Sequence, residues 1–355
     1  GGIGLIGTSD HRGRRMKYHQ HRSASRIRIA VHIVLWLVML SLAAAPARCA
    51  YAQASSALRS VEQLAATLSC RLDLFDVAGC PAFLIRPQET PDRVPTPWVW
   101  YAPVIEHPNT SHQWMLRQWL AEGIGMAGVD VSESYGSPAG REIYSALWET
   151  LTTRYGMSRK PCLLPQSRGG LMLYNWAAQN PSRVAGIAGI YPVMDLRSYP
   201  GLDRACGAYG MTASELEAHL TDHNPIDRLA LLAKAGVPIL HVHGDTDAVV
   251  PLEKNSGFCV QRYNELGGPA RLITVPGKGH EVCSEFFACQ ELVDFVIRES
   301  HVTSWSLGPF VKPERPVLEP NPQAVFHCPV SDKIVRWEAQ NVYNPAAVVK
   351  NGKVW

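Results

Sequence analysis

The chain has 355 residues, with 34 Lys and Arg against 31 Asp and Glu, a net charge of +3 and nine cysteines. That length suits one α/β domain with an appendage. The positive balance is local: residues 1–52 hold eight Lys and Arg and one acid, Asp10, leaving 26 basic and 30 acidic groups in the remainder. A basic surface for nucleic acid is therefore excluded.

In chain order, Met16 reads as the natural start. Lys17, Arg22, Arg26 and Arg28 precede the apolar run Ile29 to Ala45, and Ala50-Tyr51-Ala52 and Ala52-Gln53-Ala54 offer small residues for cleavage. This is the anatomy of a secretory signal peptide. It predicts a secreted or periplasmic protein with no stable membrane association after cleavage. In that setting some of the eight cysteines beyond residue 52 are expected to pair, with Cys70 and Cys80 close across a hairpin and Cys162 a packed free thiol.

Arg71 to Asp76 and Ala82 to Pro87 read as antiparallel strands joined around Gly79. Pro97 to Pro103 is a buried strand, Gln113 to Leu120 an amphipathic helix, and Gly123 to Val131 the next strand. A loop, Ser132 to Gly140, leads to a helix over Glu142 to Arg154. Then Leu163-Leu164-Pro165-Gln166-Ser167-Arg168-Gly169-Gly170 brings an apolar run to a serine, two glycines and a helical pattern. Such a strand, sharp turn and helix lifts a hydroxyl above a sheet, and the second residue after the serine has no room for a Cβ. Val184 to Tyr191 is a further strand. Residues 195–235 interrupt the alternation with an irregular stretch, a helix over Ser214 to Leu220 and a run into the strand Val237 to Gly244. Asp245 and Asp247 follow that strand. The last strand, Arg271 to Gly277, leads to His280.

Serine, aspartate and histidine thus stand in the order Ser167, Asp247, His280, each just past the carboxyl end of a predicted strand. Open α/β sheets place ligands at that edge. On these motifs residues 60–300 resemble the α/β-hydrolase superfamily, nearest its prolyl-oligopeptidase-like and carbohydrate-esterase branches. The resemblance implies an α/β fold with a mostly parallel twisted sheet, helices on both faces and a small cap insertion. It divides the chain into 1–52, upstream residues and signal peptide; 53–304, the catalytic domain; and 305–355, a Pro-rich linker and the incomplete start of a second domain. The closing stretch Asn344-Pro345-Ala346 to Gly352-Lys353-Val354 resembles the opening of a five-bladed β-propeller glycosidase, the rest of which would lie beyond this chain.

The implied chemistry needs no cofactor and no metal. Ser167 attacks, His280 moves the proton, and Asp247 holds the imidazolium; Asp245 is the rival acid, and Asp247 is preferred because His243-Gly244-x-x-Asp247-x-x-Val250 has the family's spacing. The oxyanion donors expected are the N–H of Arg168 and that of Tyr101 or Ala102, Pro103 having none. Ser-Arg also resembles the elbow of glucuronoyl esterases, which implies an Arg168 that reads a uronate carboxylate; the other reading of Arg168 is a salt bridge to a loop acid. Of Trp98, Trp100, Tyr101, Trp114, Tyr135 and Trp148, one or two are expected to face substrate. The expected activity is a serine esterase acting on acylated or uronate-esterified carbohydrate. The alternatives are a prolyl-oligopeptidase-like serine peptidase, a metal-dependent hydrolase built on His241-x-His243-x-Asp245, and a non-catalytic carbohydrate-binding module.

Overall fold

The computed structural model describes residues 58–88, 95–105 and 108–301, besides Gly1 and short pieces beyond residue 322. The signal peptide expected in residues 1–52 and most of the tail lie outside these residues. Two compact units separate at Thr303 and Ser304. In the second, Phe326–Cys328 pairs with Lys333–Val335, and Val349–Lys350 pairs with Lys353–Val354.

The first unit carries an eight-stranded sheet in the order β1-β2-β4-β3-β5-β6-β7-β8. Its strands are β1 (Arg71–Val77), β2 (Cys80–Arg86), β3 (Trp98–Ala102), β4 (Gly125–Val129), β5 (Cys162–Pro165), β6 (Gly186–Ile190), β7 (Ile239–Gly244) and β8 (Ala270–Val275). β1, β2 and β4 pair antiparallel, while β4, β3, β5, β6, β7 and β8 run parallel. The central strands are buried along their whole length, as strands covered on both faces must be. This is the α/β-hydrolase fold.

Alternation along β3 shows how the two faces are built. Trp98, Trp100 and Ala102 point into one core, with Tyr144, Leu147, Met172, Trp176 and Tyr263. Val99 and Tyr101 point into the other, with Leu64, Leu116, Trp119, Leu292 and Val296. The first core is covered by α2 (Pro138–Arg154) and α3 (Gly169–Gln179), and the second by α1 (Gln113–Ala121) and α10 (Gln290–His301). Each large side chain removed from water contributes about 1.5–3 kcal/mol. Helix α2 starts earlier than its periodicity suggests, because Ser137 caps it and Pro138 occupies its first turn, where a missing N–H costs nothing.

The insertion between β6 and β7 holds α4 (Leu202–Tyr209), α5 (Ala213–Ala218), α6 (Leu220–His223) and α7 (Leu229–Lys234). Helix α4 falls where an irregular stretch was expected. Gly207 and the flanking Pro200-Gly201 mask its periodicity, yet Ala205 and Tyr209 bury one face and Gly210 ends it in the left-handed conformation. Tyr209 also donates its hydroxyl to the Tyr135 carbonyl at 2.7 Å, tying the insertion to the loop after β4. Further helices of the unit are α8 (Ser256–Glu265) and α9 (Ser284–Phe287), and residues 58–68 are helical as well.

One expectation about side chains is corrected. Cys70 and Cys80 do not meet: Cys80 opens β2 opposite Val77, while Cys70 precedes the far end of β1, roughly 20 Å away at strand rise. All eight described cysteines are free thiols, and burial pushes that of Cys162 well up. The tryptophans are mostly core. Trp98, Trp100 and Tyr101 have no exposed surface and Trp148 has 5%, whereas Trp114 is 40% exposed.

Candidate active site

β5 delivers Ser167 to the carboxyl edge of the sheet, and α3 begins two residues later. The turn forces Ser167 to a φ of +49°, in the left-handed region. That conformation costs a residue with a Cβ about 1–2 kcal/mol. It is held by its own main chain: Ser167 N–H donates to the Ile190 carbonyl at 3.0 Å, and its carbonyl accepts from Gly170 at 2.9 Å and Val193 at 2.8 Å. The two glycines are steric necessities. A Cβ on Gly169 would stand 2.1 Å from the Ala102 carbonyl oxygen, and one on Gly170 would stand 2.2 Å from that of Val193.

The turns after β7 and β8 bring the other two groups to the same edge. His280 Nε2 lies 2.9 Å from Ser167 Oγ, and His280 Nδ1 lies 2.8 Å from Asp247 Oδ2. Asp247 Oδ1 accepts from the main-chain N–H groups of Val249 at 2.9 Å and Val250 at 2.8 Å. Burial works to raise the Asp247 pKa, but hydrogen bonds from His243, His280 and Val250 outweigh it and hold the carboxyl well below the usual range. The rival Asp245 is spent elsewhere, accepting from Gly277 N–H at 2.6 Å and so bracing the turn that carries His280.

Tyr191, Gln166 and His112, to which the sequence assigns no role, complete the arrangement. The Tyr191 ring packs 4.5 Å from that of His280, centroid to centroid. Tyr191 accepts a hydrogen bond from Gln166 Nε2 at 3.3 Å, and Gln166 Oε1 accepts from the Tyr101 hydroxyl at 2.7 Å and faces His112 Nε2 at 3.0 Å. The residue before the serine is thus clamped from three elements. Nothing in the order of residues signals that clamp.

Arg168 and the expected oxyanion donors fare differently. Among the described residues no acceptor takes the Arg168 N–H, which leaves it free beside Ser167. Tyr101 and Ala102 do not supply a second donor. β3 is paired on both edges, with Ala102 opposite Pro165 and its carbonyl bonded to Gln166 N–H at 2.9 Å. That pairing commits the main chain of both residues to the sheet. The first N–H past the strand belongs to Val104, since Pro103 has none. The Arg168 guanidinium meets the Glu133 carboxylate at 2.9 Å, with both side chains partly exposed. Of its two readings, the salt bridge to a loop acid is the one in place.

Residues 141–297 match the model of the prolyl oligopeptidase family. That match covers less than half of the chain. The chain holds a serine, an imidazole and a carboxylate in the arrangement used by serine hydrolases. Its fold is shared by Porphyromonas gingivalis dipeptidyl peptidase 4, with a TM-score of 0.51 and 14% identity, over 64% of this chain and 35% of that one. Est1E from Butyrivibrio proteoclasticus matches with a TM-score of 0.50 and 17% identity, over 64% of this chain and 98% of that one. A truncated carbohydrate esterase from gut microbiota matches with a TM-score of 0.50 and 17% identity, over 62% and 90%. The chain therefore spans about a third of the length of the peptidase it resembles. No curated protein matches it in sequence. The family match ends before the tail, so the likeness of residues 305–355 to a propeller glycosidase is unsupported.

Among the described residues no helix is long and apolar enough to cross a membrane, and no cluster of three or more His, Cys, Asp and Glu side chains is arranged to hold a metal ion. The His-x-His of the metal reading is turned to another use. Each ring nitrogen of His241 and His243 faces a hydroxyl or carbonyl of the protein.

Proposed function

We propose that the protein is a carboxylic ester hydrolase acting on acylated or uronate-esterified carbohydrate, with Ser167 as nucleophile, His280 as general base and acid, and Asp247 as its orienting carboxylate. The observation that carries this is the unbroken chain from Ser167 Oγ through His280 to Asp247 Oδ2, at 2.9 and 2.8 Å. In the resting tautomer Nδ1–H donates to Asp247 and Nε2 accepts the serine proton. Ser167 Oγ attacks the ester carbonyl carbon as Nε2 takes that proton. The imidazolium then protonates the departing alcohol, leaving an acyl-serine. A water repeats the sequence in reverse and releases the acid. Arg168 N–H and Val104 N–H are the two donors assigned to the developing oxyanion. A single such donor is worth about 10²–10³ in rate.

Ester rather than peptide hydrolysis is favoured because the two esterases are matched over nearly their whole length, 98% and 90%, and the dipeptidyl peptidase over 35%. The described unit thus corresponds to a complete esterase body. The carbohydrate assignment rests on the carbohydrate esterase among these neighbours and on the exported location expected from residues 1–52. A peptidase of the prolyl-oligopeptidase type remains the second reading, carried by the family match over residues 141–297.

The test is a panel of acetylated, feruloylated and glucuronoyl-ester glycans, run beside aminoacyl anilides with the wild type and Ser167→Ala. Turnover of a glycan ester that falls on the order of 10⁶-fold in Ser167→Ala is expected. A preference for the anilides overturns the ester assignment.

A further inference from the structure

Behind Asp247 lies a line of buried polar groups that the reaction scheme does not use. Tyr174, on α3, places its hydroxyl 2.7 Å from His241 Nε2. His241 Nδ1 lies 3.0 Å from Ser256 Oγ, and Ser256 Oγ lies 2.8 Å from His243 Nδ1. His243 Nε2 lies 2.8 Å from the Val250 carbonyl oxygen and 3.3 Å from Asp247 Oδ2. His241, His243 and Ser256 have no exposed surface. The line runs from the helix after the nucleophile to the carboxylate that faces His280.

Its hydrogens admit one arrangement when both rings are neutral. The Val250 carbonyl only accepts, so His243 Nε2 carries a proton, which also lies near Asp247 Oδ2. His243 Nδ1 then accepts the Ser256 hydroxyl proton. Ser256 Oγ, having given its proton, accepts from His241 Nδ1–H. His241 Nε2 is left to accept the Tyr174 hydroxyl. Burial, with His243 beside it, lowers His241 to a pKa of about 3, which keeps that ring neutral. Every donor points towards Asp247, and chains aligned this way polarise one another.

We propose that Tyr174, His241, Ser256 and His243 form a one-way hydrogen-bond chain that positions Asp247, with His243 as the positioning residue. The inference rests on reading Ser167, His280 and Asp247 as the catalytic set. Asp247 Oδ2 accepts the His280 N–H, while His243 Nε2, bonded to the Val250 carbonyl, stands 3.3 Å from the same oxygen, and the two main-chain bonds to Oδ1 fix the rest of the carboxylate. His243 thereby limits how tightly Asp247 holds the imidazolium proton. The titratable groups around the line are His280, Asp247 and Tyr191 at one end, and Tyr174, Cys259 and Tyr263 at the other.

The experiment follows the rate at which a fluorophosphonate labels Ser167 across pH, on the full chain, so that it depends on no choice of substrate. His243→Phe keeps ring bulk and removes the donor. It is expected to label about tenfold more slowly near neutral pH, the worth of one charge-assisted hydrogen bond. The acid limb of its rate profile should move up by about half a pH unit or more, because an unshared Asp247 holds the imidazolium more tightly. His243→Gln retains an N–H at the reach of Nε2 and should label within about threefold of wild type, the difference a weak neutral bond makes. A folded His243→Phe with wild-type rate and an unmoved acid limb overturns the proposal, as does His243→Gln being as slow as His243→Phe. Should His243→Phe fail to fold, Ser256→Ala, which cuts the chain at its middle, must shift the same limb or the proposal falls. Failure of the wild type to label at Ser167 removes the catalytic reading itself; normal labelling with unmoved variants removes only the chain.

Discussion

Acidification from pH 7 to pH 5 is expected to cost the fold about 2 kcal/mol through one side chain, His241. An unfolded histidine takes up its proton near pH 6.5, whereas burial keeps His241 neutral in the native state down to about pH 3. Between those values the unfolded chain binds a proton that the native chain does not. Stability therefore falls with falling pH, by about 1.4 kcal/mol per unit, beginning near pH 6.5. The step from 6.5 to 5 gives the 2 kcal/mol. Asp247 acts in a lower window: its depressed pKa contributes stability above the unfolded carboxylate value near 4, and that contribution is lost only as pH falls further. Urea melts at pH 7, 6 and 5 for wild type and His241→Gln separate these effects, because only the slopes are compared. The wild type should lose about 1.4 kcal/mol per unit more than the variant below pH 6.5. Parallel slopes would refute a neutral buried His241.

Two further outcomes follow from the same geometry. Gly169→Ala puts a Cβ 2.1 Å from the Ala102 carbonyl, so the elbow must shift; a loss of about 1–3 kcal/mol in thermal or chemical unfolding is expected, with activity falling alongside. Glu133→Gln removes the partner of the Arg168 guanidinium; kcat/KM for esters of anionic acids or uronates should rise about tenfold, in keeping with a freed charge-assisted contact, while neutral acetyl esters stay unchanged. Equal effects on both substrate types would show that Arg168 does not face the substrate.

How much of this was legible in the order of residues depends on the range of the interaction. The turn at Ser167 is a local matter of strand, glycine and helix, so eight consecutive residues announce it, and Gly169 and Gly170 are small for the steric reason the pattern suggests. The alternation of strands and helices likewise declares a parallel sheet, and each of Ser167, Asp247 and His280 is placed by the end of its own strand. Gly207 and Pro200 hid helix α4 because its stability comes from burying Ala205 and Tyr209, not from propensity.

Partner choice was beyond the reach of pattern. Tyr101 and Ala102 look available until β4 and β5 close on both sides of β3 and take their main chain. Cys70 and Cys80 look close until the register puts them at opposite ends of the hairpin. Glu133 claims Arg168, and Ser256 joins His241 to His243, only because loops and helices distant in sequence become neighbours over the sheet. A backbone pattern repeats over a few residues and can be read where it stands. A hydrogen-bond partner is fixed by which elements pack together, and that is decided by the whole core at once.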